Sequence, residues 1–279
     1  MRLSPWPSTR VVSALVLAPA VLLALYLGPP ASVALVAFAG AVMAAESVAL
    51  AQAERDTVPR VVAGAGMACA LILGGTAAGE GFFAAILAFA ALAFATLAFV
   101  AWRALEGGAR RVWPLLALVY IGAACLAFMW LRDRPAVGLA LVVWLLAVVW
   151  TTDTAAMWIG RRFGRARLAP AVSPNKTWAG LAGGMAGAGA VGGGLAWVWP
   201  AVLAGLPVGS LAGAALLGAG LAVVAQLGDL LESVYKRRFG AKDSGRIMPG
   251  HGGLLDRADG VLSASLLLAA ILGTTQGAS

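Results

Sequence analysis

The chain alternates between long apolar runs and short polar segments. Within the runs the apolar residues are continuous, which favours helices over alternating strands. In lipid each helix satisfies its own backbone hydrogen bonds, and about 20 residues suffice to cross. The runs lie at 11–28, 31–50, 61–78, 82–102, 112–130, 136–159, 178–203, 209–231 and 259–275. The pattern predicts an all-α polytopic membrane protein with about nine transmembrane helices.

Composition supports a membrane environment. Hydrophobic residues make up 61% of the 279 residues, charged residues only 11%, and the mean hydropathy is +0.91. A soluble domain has about a quarter charged residues. The net charge of +8 would suggest nucleic acid in a soluble protein. Here the basic residues fall between apolar runs, so we expect membrane lipids and no nucleic acid as partners.

The distribution of basic residues predicts the orientation. With a cytoplasmic N-terminus and nine alternating spans, only Arg132 and Arg134 lie outside, so 18 of the 20 Lys and Arg residues are cytoplasmic. This agrees with the positive-inside rule and places loops 160–177 and 232–258 on the cytoplasmic face. The first run is long for a signal peptide and is followed at once by a second, so we expect it to be retained. We expect a protein of the cell (inner or plasma) membrane whose active site faces the cytoplasm.

The two halves of the chain differ in polar content. Residues 1–135 form about five predicted helices that pack together or face lipid, and Glu46 within them has no assigned role. Residues 136–279 form the predicted catalytic region, which includes both long cytoplasmic loops. Many glycines in the run 178–203 predict close helix packing, because small residues let helix backbones approach.

Half of the acidic residues lie in the second half of the chain. Six of the twelve form a late set: Asp153, Asp229, Glu232, Asp243, Asp256 and Asp259. A carboxylate at membrane depth costs roughly 2.5 kcal/mol or more and is therefore a functional candidate. Helical spacing puts Gln226, Asp229 and Ser233 on one face, and Asp256 and Asp259 are three residues apart. Carboxylates at two helix ends suit Mg²⁺, and the low histidine and cysteine content argues against zinc.

Basic residues and glycines fill the segment between these carboxylates, from Lys236 to Asp259. Lysine and arginine bind phosphates, and glycines let the backbone approach a ligand. The sequence Gly250-His-Gly-Gly253 precedes the last helix, whose N-terminus favours an anion. Residues Ser173–Thr177 predict a second phosphate contact in the other loop. Metal and phosphate ligands together indicate phosphoryl or nucleotidyl transfer.

This segment resembles the signature of the phosphatidate cytidylyltransferases (CDP-diacylglycerol synthases). The matching residues are Ser233, Lys236, Arg237, Lys242, Asp243, Pro249, His251, Gly252, Gly253, Asp256, Arg257 and Asp259. Three apolar positions, Tyr235, Met248 and Ala258, depart mildly from the pattern without removing a charged group. The similarity covers about residues 150–270.

The resemblance implies transfer of CMP from CTP to phosphatidic acid, giving CDP-diacylglycerol and pyrophosphate for phospholipid biosynthesis. It implies Mg²⁺ and allows a second, monovalent cation and a homodimer. The implied metal ligands are Asp229, Asp256 and Asp259. The implied catalytic residues are Asp229, Asp256, Lys242, Asp243, His251 and Arg257. The implied substrate-binding residues are Asp153, Ser173, Asn175, Lys176, Lys236, Arg237, Gly252 and Gly253.

Three other functions remain as alternatives. The CDP-alcohol phosphotransferases also use aspartates at helix ends, but here Asp256-Arg-Ala-Asp-Gly260 lacks the Ala-Arg and later aspartates of their motif. A CTP-dependent lipid kinase would use similar groups. An ion-coupled transporter would use Asp153 and Asp229 as ion sites, but the chain shows no internal repeat of the kind common in transporters.

Overall fold

The computed structural model describes residues 9–51, 57–77, 112–245, 247 and 252–276. Several sequence predictions lie outside these ranges. Among them are the fourth apolar run, 82–102, and His251 of the signature segment.

The described chain is mainly helical, as predicted. Each apolar run within the described ranges forms a helix. The helices are α1 (Thr9–Leu27), α2 (Ala31–Ala51), α3 (Val58–Ala77), α4 (Val112–Arg132), α5 (Gly138–Phe163), α6 (Trp178–Val198), α7 (Pro200–Gly205), α8 (Leu211–Arg238) and α9 (Leu255–Gln276).

Six helices in the described ranges are long and apolar enough to cross a membrane. They are α2 to α6 and α8, with Val58–Gly75 as the apolar part of α3. The membrane class predicted from the sequence is therefore confirmed. The total of nine spans and the cytoplasmic N-terminus remain predictions.

The all-α prediction needs one correction, in the loop 160–177. Strands β1 (Arg167–Ala169) and β2 (Ser173–Thr177) form an antiparallel pair, with Arg167 opposite Thr177 and Ala169 opposite Ser173. Strands of three and five residues are too short to show a period of two in the sequence. The pairing satisfies backbone groups of the loop, and it places Lys176 two residues before the start of α6.

The chain divides into two compact units. The first comprises Met1–Gly122 and Ala241–Arg257. In it α2 packs against α3, where Gly64 lies so close that an added Cβ would be 3.1 Å from the carbonyl oxygen of Ala41. Met43, Ala44 and Leu71 are buried in this unit. Residues 241–255, called the signature loop below, thus group with the N-terminal helices.

The second unit comprises Ala123–Gly240 and Ala258–Ser279. Helix α6 packs against both α5 and α8. Trp144 of α5 is fully buried, and its indole Nε1 donates a hydrogen bond of 2.9 Å to the carbonyl oxygen of Gly192 in α6. An added Cβ at Gly218 of α8 would lie 2.8 Å from the carbonyl oxygen of Ala188 in α6. The glycines therefore serve the close packing that the sequence predicted.

Two glycines of α8 allow a matched test of this packing. We expect Gly218→Ala to lower the free energy of unfolding by about 1–3 kcal/mol, because the methyl group would push against the α6 backbone. Gly220→Ala is the control, since nothing lies within 4 Å of its added Cβ. Thermal unfolding of the purified protein in detergent measures both. Equal midpoints for the two variants would contradict the close α6–α8 contact.

Candidate functional site

Three carboxylates meet in the second unit. Asp229 and Glu232 of α8 and Asp259 of α9 each place a carboxylate oxygen so that these atoms lie within 4.8 Å of one another. Asp229 and Glu232 are three residues apart, so they project from one side of α8. Glu232 was one of the late acidic residues but was not among the predicted metal ligands.

Glycines bring the two helices close enough for this cluster to form. An added Cβ at Gly228 of α8 would lie 2.7 Å from the carbonyl oxygen of Asp259. An added Cβ at Gly260 of α9 would lie 3.4 Å from the Cβ of Ala225. Each glycine is adjacent in sequence to a carboxylate of the cluster. The small residues therefore set the distance between the helices at the point where the charges meet.

Two lysines border the cluster. Lys176 of β2 lies 2.5 Å from Asp229 Oδ2 and donates a hydrogen bond of 2.8 Å to Gln226 Oε1. Lys236 donates a hydrogen bond of 2.9 Å to Glu232 Oε2, four residues earlier on α8. The side chains of Lys176 and Lys236 are only 13% and 11% exposed. Both ammonium groups are thus held near the carboxylates with little access to water.

Thr177 anchors the strand that carries Lys176. Its Oγ1 accepts a hydrogen bond of 3.0 Å from Gly180 N and so caps the N-terminus of α6. Gly160 and Gly164, at the end of α5, leave room for this side chain, because an added Cβ at either would crowd Thr177 Oγ1. The cap fixes the end of β2, and Lys176 precedes it directly. The segment Ser173–Thr177, which is predicted to contact phosphate, is therefore held at the N-terminus of α6.

The ligand atoms of the cluster suit a cation. Asp259 Oδ1 accepts a hydrogen bond of 2.7 Å from Gly260 N. Asp229, Glu232 and Asp259 each place a carboxylate oxygen in the cluster. Carboxylate oxygens are the hard ligands that Mg²⁺ prefers. The residues present therefore fit the predicted divalent cation.

Asp256 belongs to the first unit and has a different set of contacts. Both of its oxygens accept hydrogen bonds from Ser244 N, at 3.1 and 2.9 Å, and Oδ2 also accepts one of 2.9 Å from Gly253 N. Gly252 has a φ of +86°, and an added Cβ there would lie 2.8 Å from Asp256 Oδ2. The carboxylate thus links Ser244 to Gly253. Its assignment as a metal ligand stays a prediction.

The remaining predicted residues take several positions. Ser173 and Asn175 lie with Lys176 on β2, and Asn175 is exposed. Other predicted ligands are also exposed: Asp153, Arg237, Lys242, Asp243 and Arg257. Of the predicted metal ligands, Asp229 and Asp259 are brought together. Gly253 is buried beside Asp256.

Glu46 is the functional candidate that the sequence analysis left without a role. It lies in α2, is only 4% exposed, and accepts hydrogen bonds from the signature loop. The sequence did contain a signal, because a carboxylate within an apolar run is costly and calls for a partner. The sequence could not identify this partner, because the partner lies about 200 residues further along the chain.

The fold and the site together define a helical membrane protein with a carboxylate cluster that suits a divalent cation and with lysines that suit phosphate groups. A model of the cytidylyltransferase family matches residues 8–275, and the chain belongs to that family. The family resemblance predicted from the signature segment is confirmed.

Curated relatives share substantial identity with part of this chain. Phosphatidate cytidylyltransferase of Brucella suis biovar 1 is 49% identical over 158 residues, which cover 57% of this chain and 56% of the relative. The Bacillus subtilis protein of the same name is 42% identical over 147 residues, covering 53% and 52%. That of Staphylococcus aureus strain COL is 39% identical over 163 residues, covering 57% of each. The chain thus spans about half the length of the curated relatives it matches.

The acidic cluster generates a test that does not depend on turnover. We expect Glu232→Gln and Asp259→Asn each to weaken binding of Mn²⁺, used as a probe for Mg²⁺, by at least about ten-fold, because even outer-shell partners of a metal contribute that much. Electron paramagnetic resonance of free Mn²⁺ gives the affinity. Asp133→Asn, a change at an exposed aspartate in the turn before α5, is the control. Wild-type affinity in both cluster variants would contradict the site.

Proposed function

We propose that this protein transfers CMP from CTP to phosphatidic acid, releasing pyrophosphate and forming CDP-diacylglycerol. The observation that carries the proposal is the carboxylate cluster Asp229, Glu232 and Asp259 with Lys176 and Lys236 beside it. Family membership and the names of the relatives support this choice of reaction.

The proposed reaction needs no activated serine or strong general base. A phosphate oxygen of the lipid is already anionic near neutral pH and attacks the α-phosphorus of CTP. The new O–P bond forms as the bond from the α-phosphorus to the bridging oxygen of the β-phosphate breaks. Pyrophosphate leaves with that electron pair. The main tasks of the protein are to hold two anions together and to stabilise charge on the leaving group.

Asp229, Glu232 and Asp259 are proposed to hold the divalent cation, Mg²⁺. When bound, it would neutralise phosphate charge and polarise the reacting phosphoryl group. Lys176 and Lys236 are proposed to contact phosphate oxygens, exchanging their present carboxylate partners in part for substrate. Two poorly exposed ammonium groups are suited to this, because electrostatic attraction is stronger where water is excluded.

The signature loop supports separate proposals for its own residues. Lys242 and Arg257 are exposed and remain proposed phosphate ligands, as does Arg237 at the end of α8. Asp256 remains a proposed metal ligand whose backbone contacts also shape the loop. By analogy with its bacterial relatives, the protein is proposed to lie in the bacterial inner membrane. Its site is proposed to open to the cytoplasm.

A reconstitution assay tests the reaction. Purified protein in detergent micelles, supplied with CTP, phosphatidic acid and Mg²⁺, is expected to form equal amounts of pyrophosphate and a CDP-lipid. Chelation of the divalent cation should stop both. Cytosine-labelled CTP should label the lipid, whereas γ-labelled CTP should not. Label in lipid from the γ-phosphate alone would instead identify a lipid kinase, and Asp229→Asn should abolish the signal in either case.

Lys242→Ala tests the proposed phosphate role of the loop. Loss of an exposed ammonium that contacts substrate should raise KM for CTP or phosphatidic acid several-fold and change kcat less, because it removes binding common to ground and transition states. Initial rates over a range of each substrate measure this. Asp133→Asn again serves as the surface control. Unchanged KM for both substrates would remove Lys242 from the site.

A further inference from the structure

Glu46 connects α2 to the start of α9 within the first unit. Its Oε1 accepts a hydrogen bond of 3.0 Å from Leu254 N, and its Oε2 accepts one of 3.0 Å from Leu255 N. Leu255 is the first residue of α9, and the Leu254 carbonyl accepts the hydrogen bond of the first turn from Arg257 N. Glu46 therefore satisfies amides that a helix N-terminus leaves without an internal partner.

Glu46 also contacts the other described end of the signature loop. Ser244 Oγ donates a hydrogen bond of 3.3 Å to Glu46 Oε2. Ser244 and Leu254 are ten residues apart, and one carboxylate contacts both. Because a buried carboxylate requires strong compensation, the two backbone amides, the hydroxyl and the helix dipole together account for its position.

Two glycines close the loop tightly around this carboxylate. An added Cβ at Gly253 would lie 2.8 Å from each Glu46 oxygen, and one at Gly245 would overlap the same side chain. Neither position has space for a larger residue. The base of the loop is thus built to the shape of Glu46.

The contacts of Glu46 alternate with those of Asp256. Ser244 donates its hydroxyl to Glu46 and its backbone N–H to Asp256. Gly253 N donates to Asp256, and the next amide, Leu254 N, donates to Glu46. Each of the two carboxylates therefore binds both ends of the loop, through neighbouring but different donor groups. A change at Glu46 will alter the surroundings of Asp256.

We propose that Glu46 is a positioning residue that clamps the base of the signature loop and so sets the placement of Asp256 and Lys242. The structural part of this proposal, the clamp, stands on the contacts of the described residues. The catalytic part rests on the proposed cytidylyl transfer.

Glu46→Gln tests the clamp, because it keeps the size of the side chain and replaces one acceptor oxygen with a donor group. The new NH₂ group would face an N–H or O–H group, and two donors cannot form a hydrogen bond with each other. We expect hydrogen exchange, followed by mass spectrometry, to become at least about ten-fold faster in peptides containing Ser244 and in peptides containing Leu254 and Leu255, since amide exchange reports local opening. Peptides of α6 and α8 should be unchanged. Ser47→Ala, at the next buried position of α2, is the control.

Activity and a second variant complete the test. Glu46→Gln should lower kcat/KM by about 10- to 100-fold, the usual effect of losing a residue that orients a ligand. Ser244→Ala removes only the hydroxyl contact and should have a smaller effect in both measurements. In the Glu46→Gln background that effect should largely disappear, because the two residues form one network.

The outcomes separate the clamp from the chemistry. Wild-type exchange at the loop base in Glu46→Gln, or additive effects of the two changes, would overturn the clamp. If Glu46→Gln does not fold, wild-type exchange at both loop ends in Glu46→Asp, whose shorter side chain withdraws the carboxylate from the Leu254 and Leu255 amides, would overturn it equally. Faster exchange at the loop base in a protein whose wild type makes no CDP-lipid would retain the clamp and refute the proposed function.

Discussion

The need to compensate carboxylates in an apolar chain shapes the functional parts of both units. A buried charge is tolerated only with paired charges, hydrogen-bond donors or a metal ion. In the first unit Glu46 is compensated by amides and a hydroxyl of the signature loop. In the second unit Lys176 pairs with Asp229 and Lys236 pairs with Glu232, in a carboxylate cluster that could hold a cation. In each unit, compensation thus allows carboxylates to lie in a largely apolar part of the chain.

Small residues make these solutions possible. Helices can bring carboxylates within a few ångströms only if their backbones approach closely. Gly228 and Gly260 permit this beside the acidic cluster, and Gly245 and Gly253 permit it around Glu46. The glycines of α6 allow the same close approach in the scaffold that supports Lys176. Glycine content that looks like simple membrane composition is therefore tied to the site geometry.

Much of the helical architecture followed from the sequence. Long apolar runs had to be helices, because lipid offers no partners for free backbone groups. The late acidic residues and the signature motif identified the family and most candidate ligands. The short β1–β2 pair was missed, because three to five residues leave no periodic signal, and it positions Lys176.

What the sequence determined by itself was the succession of long apolar runs and the carboxylate and basic side chains between and within them. Which of them meet was decided by tertiary structure, because helical spacing relates only residues a few positions apart. The close approach of α8 and α9 places Glu232 beside Asp229 and Asp259. Asp256 instead accepts hydrogen bonds from amides of its own loop. Glu46 meets its hydrogen-bond partners only because folding brings it to a loop about 200 residues away in sequence.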